Sequence, residues 1–189
     1  MKELTKSQIW DYFILIARVL LALTLIRYGW SKLIDAQFWV TEETMKMPLK
    51  DIDLFRVSWY LADHEPLKSF LGISQIFTAM LILYNRTVII GALISIPIWI
   101  NILMWDMTFM GLYTPFTVRL PFYLLLTCLI LWHYRGKILP ALQSCIKGTS
   151  TKFEYPIWTY LMLPLLAICL ELVGALPSAT IYLIKQFFK

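Results

Sequence analysis

Charged and amide side chains lie within long apolar stretches of this 189-residue chain. A charge near mid-bilayer costs at least about 2.5 kcal/mol, so such residues usually face protein, water or a ligand rather than lipid. An ammonium or guanidinium group can bind an anion, and an amide can both donate and accept hydrogen bonds. We therefore consider seven candidates for a ligand-binding site: Arg18, Lys32, Gln75, Asn101, Asp106, Arg119 and Glu171.

Two of these candidates share one face of the first apolar segment. At a helical period of 3.6, one stripe contains residues 18, 22, 25, 29 and 32. This stripe puts Arg18 near mid-depth and Lys32 at the membrane edge, and Gly29 between them permits close helix packing. The other five candidates come from four further spans, in their outer halves. We predict a polar chamber there, either open to the outside or sealed by a helix of the first loop.

A purely structural interpretation of the same residues stays open. The cations at the membrane edges fit extension to lipid headgroups, and the amides fit hydrogen bonds between helices. Arg18 and Glu171 fit a buried ion pair. Because Arg18 reaches neither interface easily, a cavity or a buried partner is the favoured interpretation for this residue.

The sequence contains no recognisable catalytic or metal centre. His64 and His133 have no ligand-like partner nearby in the sequence, and the three cysteines are widely spaced, so we assign no metal. A haem, flavin or iron–sulfur cluster would require paired axial ligands, a dinucleotide glycine motif or a cysteine quartet, and none of these is present. No cofactor is evident, the catalytic residues are unknown, and quinone and lipid remain the candidate bound molecules.

The elements that would position these residues are membrane spans. Apolar residues make up 59% of the chain, above the roughly 45–50% of soluble domains, which predicts an integral membrane protein. Lengths and flanking residues predict an all-α helical bundle forming one transmembrane domain over residues 1–189. The predicted spans are about 11–34, 67–84, 87–110, 118–134 and 157–176, the last with a kinked continuation to 188.

The first loop and the short connections complete this organisation. Residues 51–63 carry apolar side chains on one side, which predicts a surface helix over the outer face of the bundle. Lysine and arginine in the short connections predict that the N-terminus and residues 135–152 are cytoplasmic. The net charge of +5 then fits anionic lipid headgroups, and no interleaved basic and aromatic residues favour nucleic acid as a partner.

Two segments resemble DoxX-like membrane proteins. In residues 18–38, an arginine and an apolar turn precede a Tyr-Gly-x-x-Lys sequence that ends at Lys32, followed by a short exit into the first loop. Residues 72–101 are similar to the second and third spans of the same family, with an Arg-Thr hairpin, a glycine four residues later and Asn101 near the end. The resemblance covers residues 12–140 and implies a four-helix core, to which the fifth apolar helix would be an addition.

The chain also departs from the pattern of this family. Members often carry a glutamate where Gln75 stands, glycines where Thr78 and Ala79 stand, and a histidine near the position of Arg119. A proton-carrying role for that glutamate does not transfer to Gln75, because an amide does not titrate. The family is functionally mixed, and some of its members accompany thiol- or quinone-linked redox systems.

Two functional hypotheses follow. The first is a non-enzymatic protein of the bacterial inner membrane that binds a lipophilic or anionic small molecule, or a membrane or periplasmic partner protein, as an accessory subunit of a redox or envelope system. The second is a membrane subunit of a quinone- or thiol-linked oxidoreductase, in which Lys32, Gln75 and Asn101 would donate hydrogen bonds to a quinone. The missing redox group favours the first hypothesis, with membrane lipids as the expected partners.

Overall fold

All regular secondary structure in the part of the chain that the structure describes is helical. The computed structural model describes residues 5–38, 40–148 and 153–187. The predicted all-α class is confirmed. Contacts along the chain define two compact units, Met1–Ser144 and Cys145–Lys189, and each is described by itself. The single transmembrane domain stays a prediction.

The helices are numbered in chain order, and a 3₁₀ turn at Leu49–Asp51 separates the second from the third. They are α1 (Lys6–Leu33), α2 (Glu42–Met45), α3 (Leu54–Ala62), α4 (Leu67–Leu83), α5 (Val88–Phe109), α6 (Pro115–His133), α7 (Arg135–Ile146) and α8 (Ile157–Phe187).

Four of the described helices are long and apolar enough to cross a membrane: α1, α5, α6 and the Ile157–Pro177 part of α8. A fifth span results if α3 and α4, which meet at a bend of 82°, are counted together. The 17 residues of α4 extend only about 25 Å at 1.5 Å per residue, slightly less than a hydrocarbon core of about 30 Å. These helices are compatible with an integral membrane protein.

Capping explains why two spans begin earlier than predicted. Helix α1 begins at Lys6 because Thr5 and Gln8 form a capping box, in which each side chain bonds the backbone N–H of the other residue. Helix α6 begins at Pro115, since the Thr114 hydroxyl accepts a hydrogen bond from the Thr117 N–H. Apolar length alone does not reveal these polar first turns.

The first unit is built around a bundle of α1, α4, α5 and α6. Helices α1 and α5 each pack against both α4 and α6. The five residues of the predicted α1 stripe are all buried, so this stripe is the face that α1 turns to the bundle. We call the end of the bundle that carries residues 34–66 the loop end. The end that carries the Asn85–Arg86 connection is the hairpin end.

Glycine permits the closest contact between α1 and α4. A Cβ atom on Gly29 would lie 2.5 Å from the Gly72 carbonyl oxygen and 2.8 Å from Cγ1 of Ile76. Real Cβ atoms do not approach backbone this closely, so α1 and α4 could not pack at this distance with any larger residue at position 29. The pairing of Gly29 with Gly72, and of Arg18 with the end of α4, makes the two helices antiparallel.

The first loop contains a shorter surface helix than predicted. Helix α3 begins at Leu54, not near residue 51, because the Asp53 carboxylate caps it by accepting the Arg56 N–H at 2.9 Å. The loop is attached to α4 at both ends by Lys68, whose ammonium pairs with Asp35 after α1 and with Asp63 after α3.

The structure describes two further regions of the chain. Residues 135–152, predicted as a connection, contain the twelve-residue helix α7, while 149–152 lie outside the described residues. The last apolar helix was predicted to continue beyond 176 with a kink. Helix α8 contains Pro164 and Pro177 and is helical to Phe187, and residue 188 lies outside the described part.

We predict that Gly29→Ala destabilises the bundle, because its new methyl group would overlap the α4 backbone. Overpacking of this kind costs about 1–3 kcal/mol, which is a fall of several degrees in Tm for a chain of this length. Thermal unfolding in detergent measures it. Gly136→Ala is the control, since a Cβ there meets no atom within 4 Å and its Tm should stay unchanged or rise. Equal behaviour of the two variants would contradict the close packing.

Candidate functional site

A cavity of about 710 Å³ lies at the loop end of the first unit. Its walls come from α1, α3, α4 and α5, with one residue of α6 and the two residues Gln37 and Phe38 that follow α1. Most of the lining side chains are apolar or aromatic. Four of the seven residues selected from the sequence also line it: Lys32, Gln75, Asn101 and Asp106.

Lys32 is the central polar residue of this cavity. Its side chain is only 5% exposed. The ammonium donates to three neutral oxygens, which are the Tyr28 carbonyl at 3.2 Å, Oε1 of Gln37 at 3.0 Å and Oε1 of Gln75 at 3.3 Å. Lys32 forms no ion pair with any described carboxylate. No carboxylate is paired with this ammonium, so an anionic group of a ligand could supply the missing counter-charge.

Aromatic rings complete the surroundings of this ammonium. Nζ of Lys32 lies 5.3 Å from the centre of the Phe38 ring and 5.8 Å from that of Tyr28, within the range of cation–π attraction. Phe38 is buried and has a φ of +72°, a backbone conformation that is rare for a bulky residue. The packing of its ring in the cavity wall compensates this local strain.

Asp106 and Asn101 bring two further polar groups to the cavity from α5. Asp106 is half-buried and Asn101 is exposed. Their side chains make no hydrogen bond or ion pair with any residue that the structure describes. The Asp106 carboxylate and the Lys32 ammonium line the same cavity, and no ion pair joins them. The cavity therefore presents one positive and one negative group that are not neutralised by direct contact.

Helix α3 forms one wall of the cavity at the loop end. Phe55, Trp59 and Ala62 line it, and the Trp59 ring contacts those of Phe55 and Phe38 at centroid distances of 4.6 and 6.0 Å. The sequence left open whether the loop helix seals the chamber. The structure places α3 against the cavity, while the rim also includes exposed apolar residues of α4, α5 and α6.

The other three candidates have different positions. Arg18 is buried near the hairpin end and does not line the cavity. Arg119, near the start of α6, is exposed and does not line it either. Glu171 belongs to the second unit, where it is exposed, whereas every cavity residue belongs to the first. Within the first unit, four of the six candidates therefore line one cavity, and a contribution from Glu171 stays a prediction.

Arg18 instead holds the end of α4. Its guanidinium donates to the carbonyl oxygens of Ile82 at 3.0 Å and Leu83 at 2.7 Å, and to Oδ1 of Asn85 at 2.8 Å. These carbonyls belong to the last turn of α4, where no further helical N–H is available. The negative end of the helix dipole also favours a cation there. Arg18 therefore has buried partners at the end of α4 and does not line the cavity, and its predicted pairing with Glu171 stays a prediction.

Several cavity residues were not selected from the sequence. Gln37 follows α1 in an irregular segment, and nothing in its spacing indicates that its side chain turns back to Lys32. Phe38, Trp59 and Trp105 also line the cavity, and residue type alone does not distinguish such aromatics from those of a membrane interface. Elsewhere in the core, Nε1 of Trp99 is fully buried without a hydrogen-bond partner among the described residues.

The described residues contain no group of three or more histidine, cysteine, aspartate or glutamate side chains that could hold a metal. His133 does contact an acidic residue, since its Nε2 lies 3.4 Å from the Asp11 carboxylate. Two such groups are fewer than a protein metal site requires.

Comparison with known proteins adds no relative to this description. No protein-family model, no curated protein and no solved structure matches the chain. The resemblance to DoxX-like proteins rests on the two sequence segments described above and stays a prediction.

A comparison of Arg18 with Arg27 tests whether the buried Arg18 guanidinium stabilises the bundle. We expect Arg18→Met to destabilise the protein by about 1–3 kcal/mol, because it leaves buried carbonyl oxygens without a donor. Arg27 lies on the same helix but is exposed, so Arg27→Met should change stability by less than about 0.5 kcal/mol. Thermal unfolding of both variants in detergent measures the difference. Equal tolerance would show that Arg18 does not hold α4.

Proposed function

We propose that this chain is a non-enzymatic membrane protein that binds a lipophilic small molecule with a polar or anionic head at the loop end of its bundle. The observation that carries this proposal is the Lys32 ammonium, which is buried, not ion-paired with any described carboxylate, and part of the lining of a cavity of about 710 Å³. Burying such a charge is costly unless it serves a partner. An anionic or strongly polar head would be that partner.

The composition of the cavity supports a lipophilic body for the ligand. Small-molecule sites have volumes of about 300–1,000 Å³ and are mostly apolar, with a few polar groups that orient the ligand. This cavity has that size and that distribution. Lys32 and Gln75 would orient the head, and Ile94, Pro97 and Ile98 would contact the apolar part.

The residues of the cavity support binding rather than chemistry. Asn101 and Gln75 donate and accept hydrogen bonds but do not titrate, and the cavity contains no nucleophile beside a base. A DoxX-like accessory role in a redox or envelope system of the bacterial inner membrane is part of this proposal and rests on the sequence resemblance.

We expect Lys32→Met to abolish retention of the ligand without unfolding the protein. The purified chain, incorporated into nanodiscs with native membrane lipids, would be analysed by mass spectrometry of the small molecules that remain bound. Lys46→Met is the control, because Lys46 is an exposed loop cation of the same type. The Tm of Lys32→Met should stay within about 4 °C of that of the unmodified protein, since the side-chain amides of Gln37 and Gln75 could then form a hydrogen bond with each other.

Asn101→Leu separates a ligand role from a structural one. Asn101 has no hydrogen bond with a described residue, so its replacement should leave Tm unchanged while reducing ligand retention. If the amides only held the helices together, each change would lower stability by about 0.6 kcal/mol and retention would follow the folded fraction. Retention equal in Lys32→Met, Asn101→Leu and the unmodified chain would overturn the proposal.

We also propose that the N-terminus is cytoplasmic and that the loop end faces outward. The support is the lysine and arginine content of the short connections. In a chain whose three cysteines are replaced by serine, a cysteine at position 50 should react with an impermeant reagent from outside. A cysteine at position 147 should react only from the cytoplasmic side. The opposite pattern would put the cavity at the cytoplasmic face.

A further inference from the structure

Two opposite charges share the cavity without meeting. Lys32 lies on α1 and Asp106 on α5, and both line the cavity without forming an ion pair. Opposite charges attract strongly where the dielectric constant is low, so a gap between them is unfavourable unless each charge has another partner. Lys32 has three neutral oxygens, whereas Asp106 has no partner among the residues described. A ligand that spans the gap would need an anionic group at one end of its head and a cationic donor at the other.

We infer that the occupant of the cavity is a zwitterionic phospholipid with a primary ammonium group, bound with its phosphate at Lys32 and its ammonium at Asp106. This inference rests on the proposed function and specifies its ligand. Both ends of the head would then gain a charge-assisted hydrogen bond, which is about twice as strong as a hydrogen bond between neutral groups.

The side-chain amides allow a phosphate to enter beside Lys32. Two of the three oxygens on its ammonium belong to Gln37 and Gln75. Rotation of either amide would release one hydrogen of the ammonium and turn the NH₂ group toward the incoming phosphate. The same amides that accept hydrogen bonds from Lys32 could therefore become donors to the bound anion.

The shape of the cavity fits the apolar part of a lipid. Along α5 it extends from Asp106 to Ile94, which is about 18 Å at 1.5 Å per residue. Its rim contains exposed apolar side chains from three helices, Phe70 of α4, Ile94 of α5 and Phe116 of α6. A cavity of about 710 Å³ holds a headgroup and the first part of the chains. The remaining chain would extend through this apolar rim into the bilayer, from which the lipid enters sideways.

Competition between lipids of identical acyl chains tests the headgroup. The full chain would be reconstituted with equal amounts of phosphatidylethanolamine, phosphatidylglycerol and phosphatidylcholine, then partly delipidated, and the retained lipid measured by native mass spectrometry. We expect phosphatidylethanolamine to be retained about tenfold over the other two, which corresponds to about 1.4 kcal/mol. Phosphatidylglycerol lacks the cation, and phosphatidylcholine has no N–H to donate to Asp106.

Variants of Asp106 and Lys32 test which residue binds each end of the lipid headgroup. Asp106→Asn should remove the preference for phosphatidylethanolamine over phosphatidylglycerol while some lipid remains bound, and Asp106→Glu should keep the preference. Lys32→Met should remove retention of all three lipids. Asp51→Asn is the control, because Asp51 is an exposed carboxylate of the first loop that does not line the cavity. It should behave as the unmodified chain.

The results distinguish a zwitterionic ligand from the more general proposal of ligand binding at Lys32. Equal retention of phosphatidylglycerol and phosphatidylethanolamine, unchanged by Asp106→Asn, would overturn the zwitterionic ligand and leave binding at Lys32 standing. Retention of no lipid above the level of Lys32→Met would overturn the lipid assignment. If native extracts also showed no retained molecule, the proposed function would fail with it. The retention of phosphatidylethanolamine relative to the other two lipids in the unmodified chain tests the inference even if Asp106→Asn fails to fold.

Discussion

The first unit depends on the burial of two cations along one face of α1. Arg18 and Lys32 are 3% and 5% exposed, and a buried cation requires oxygen partners. Arg18 donates to the carbonyl oxygens of the last turn of α4, and Lys32 donates to Gln75 of the same helix. These contacts hold α1 and α4 antiparallel at two levels, and Gly29 lets the backbones touch between them. The same two helices therefore carry the structural cation and the cation of the candidate site.

The cavity follows from how the remaining helices complete this pair. Near the hairpin end α4 and α5 are in close contact, because Gly91 brings α5 against the backbone of Leu81 and Ile82. Toward the loop end the space between them is lined by larger side chains and by Pro97, which lacks an N–H and interrupts the hydrogen bonding of α5. Helix α3 covers this region from the first loop, held there by the attachment of both loop ends to Lys68. The bundle is therefore tightly packed at the hairpin end and contains a covered space at the loop end.

Much of the fold could be predicted because the bilayer restricts the choice of structure. Long apolar segments must be helices when no water is available to the backbone, which is why the predicted spans lie close to the observed helices. The predicted helix boundaries were less accurate where a polar capping residue determines the first turn, as Thr5 does for α1 and Asp53 for α3. Helix α7 was missed because its sequence is short and mixed, so that apolar periodicity did not distinguish it from a connection.

The sequence by itself determined which residues are anomalous, since a cation or amide inside an apolar helix is costly wherever the helix is placed. It also determined that residues 18 and 32 share one helical face, because a period of 3.6 is a local property. Only the tertiary structure decided that Arg18 serves the end of α4 while Lys32 faces a cavity, and that Gln37 belongs to the site. Those assignments depend on helix pairing, register and the path of an irregular loop, which are set by contacts between residues distant in sequence. One face of one helix therefore carries two cations with different roles, and position along that face cannot distinguish them.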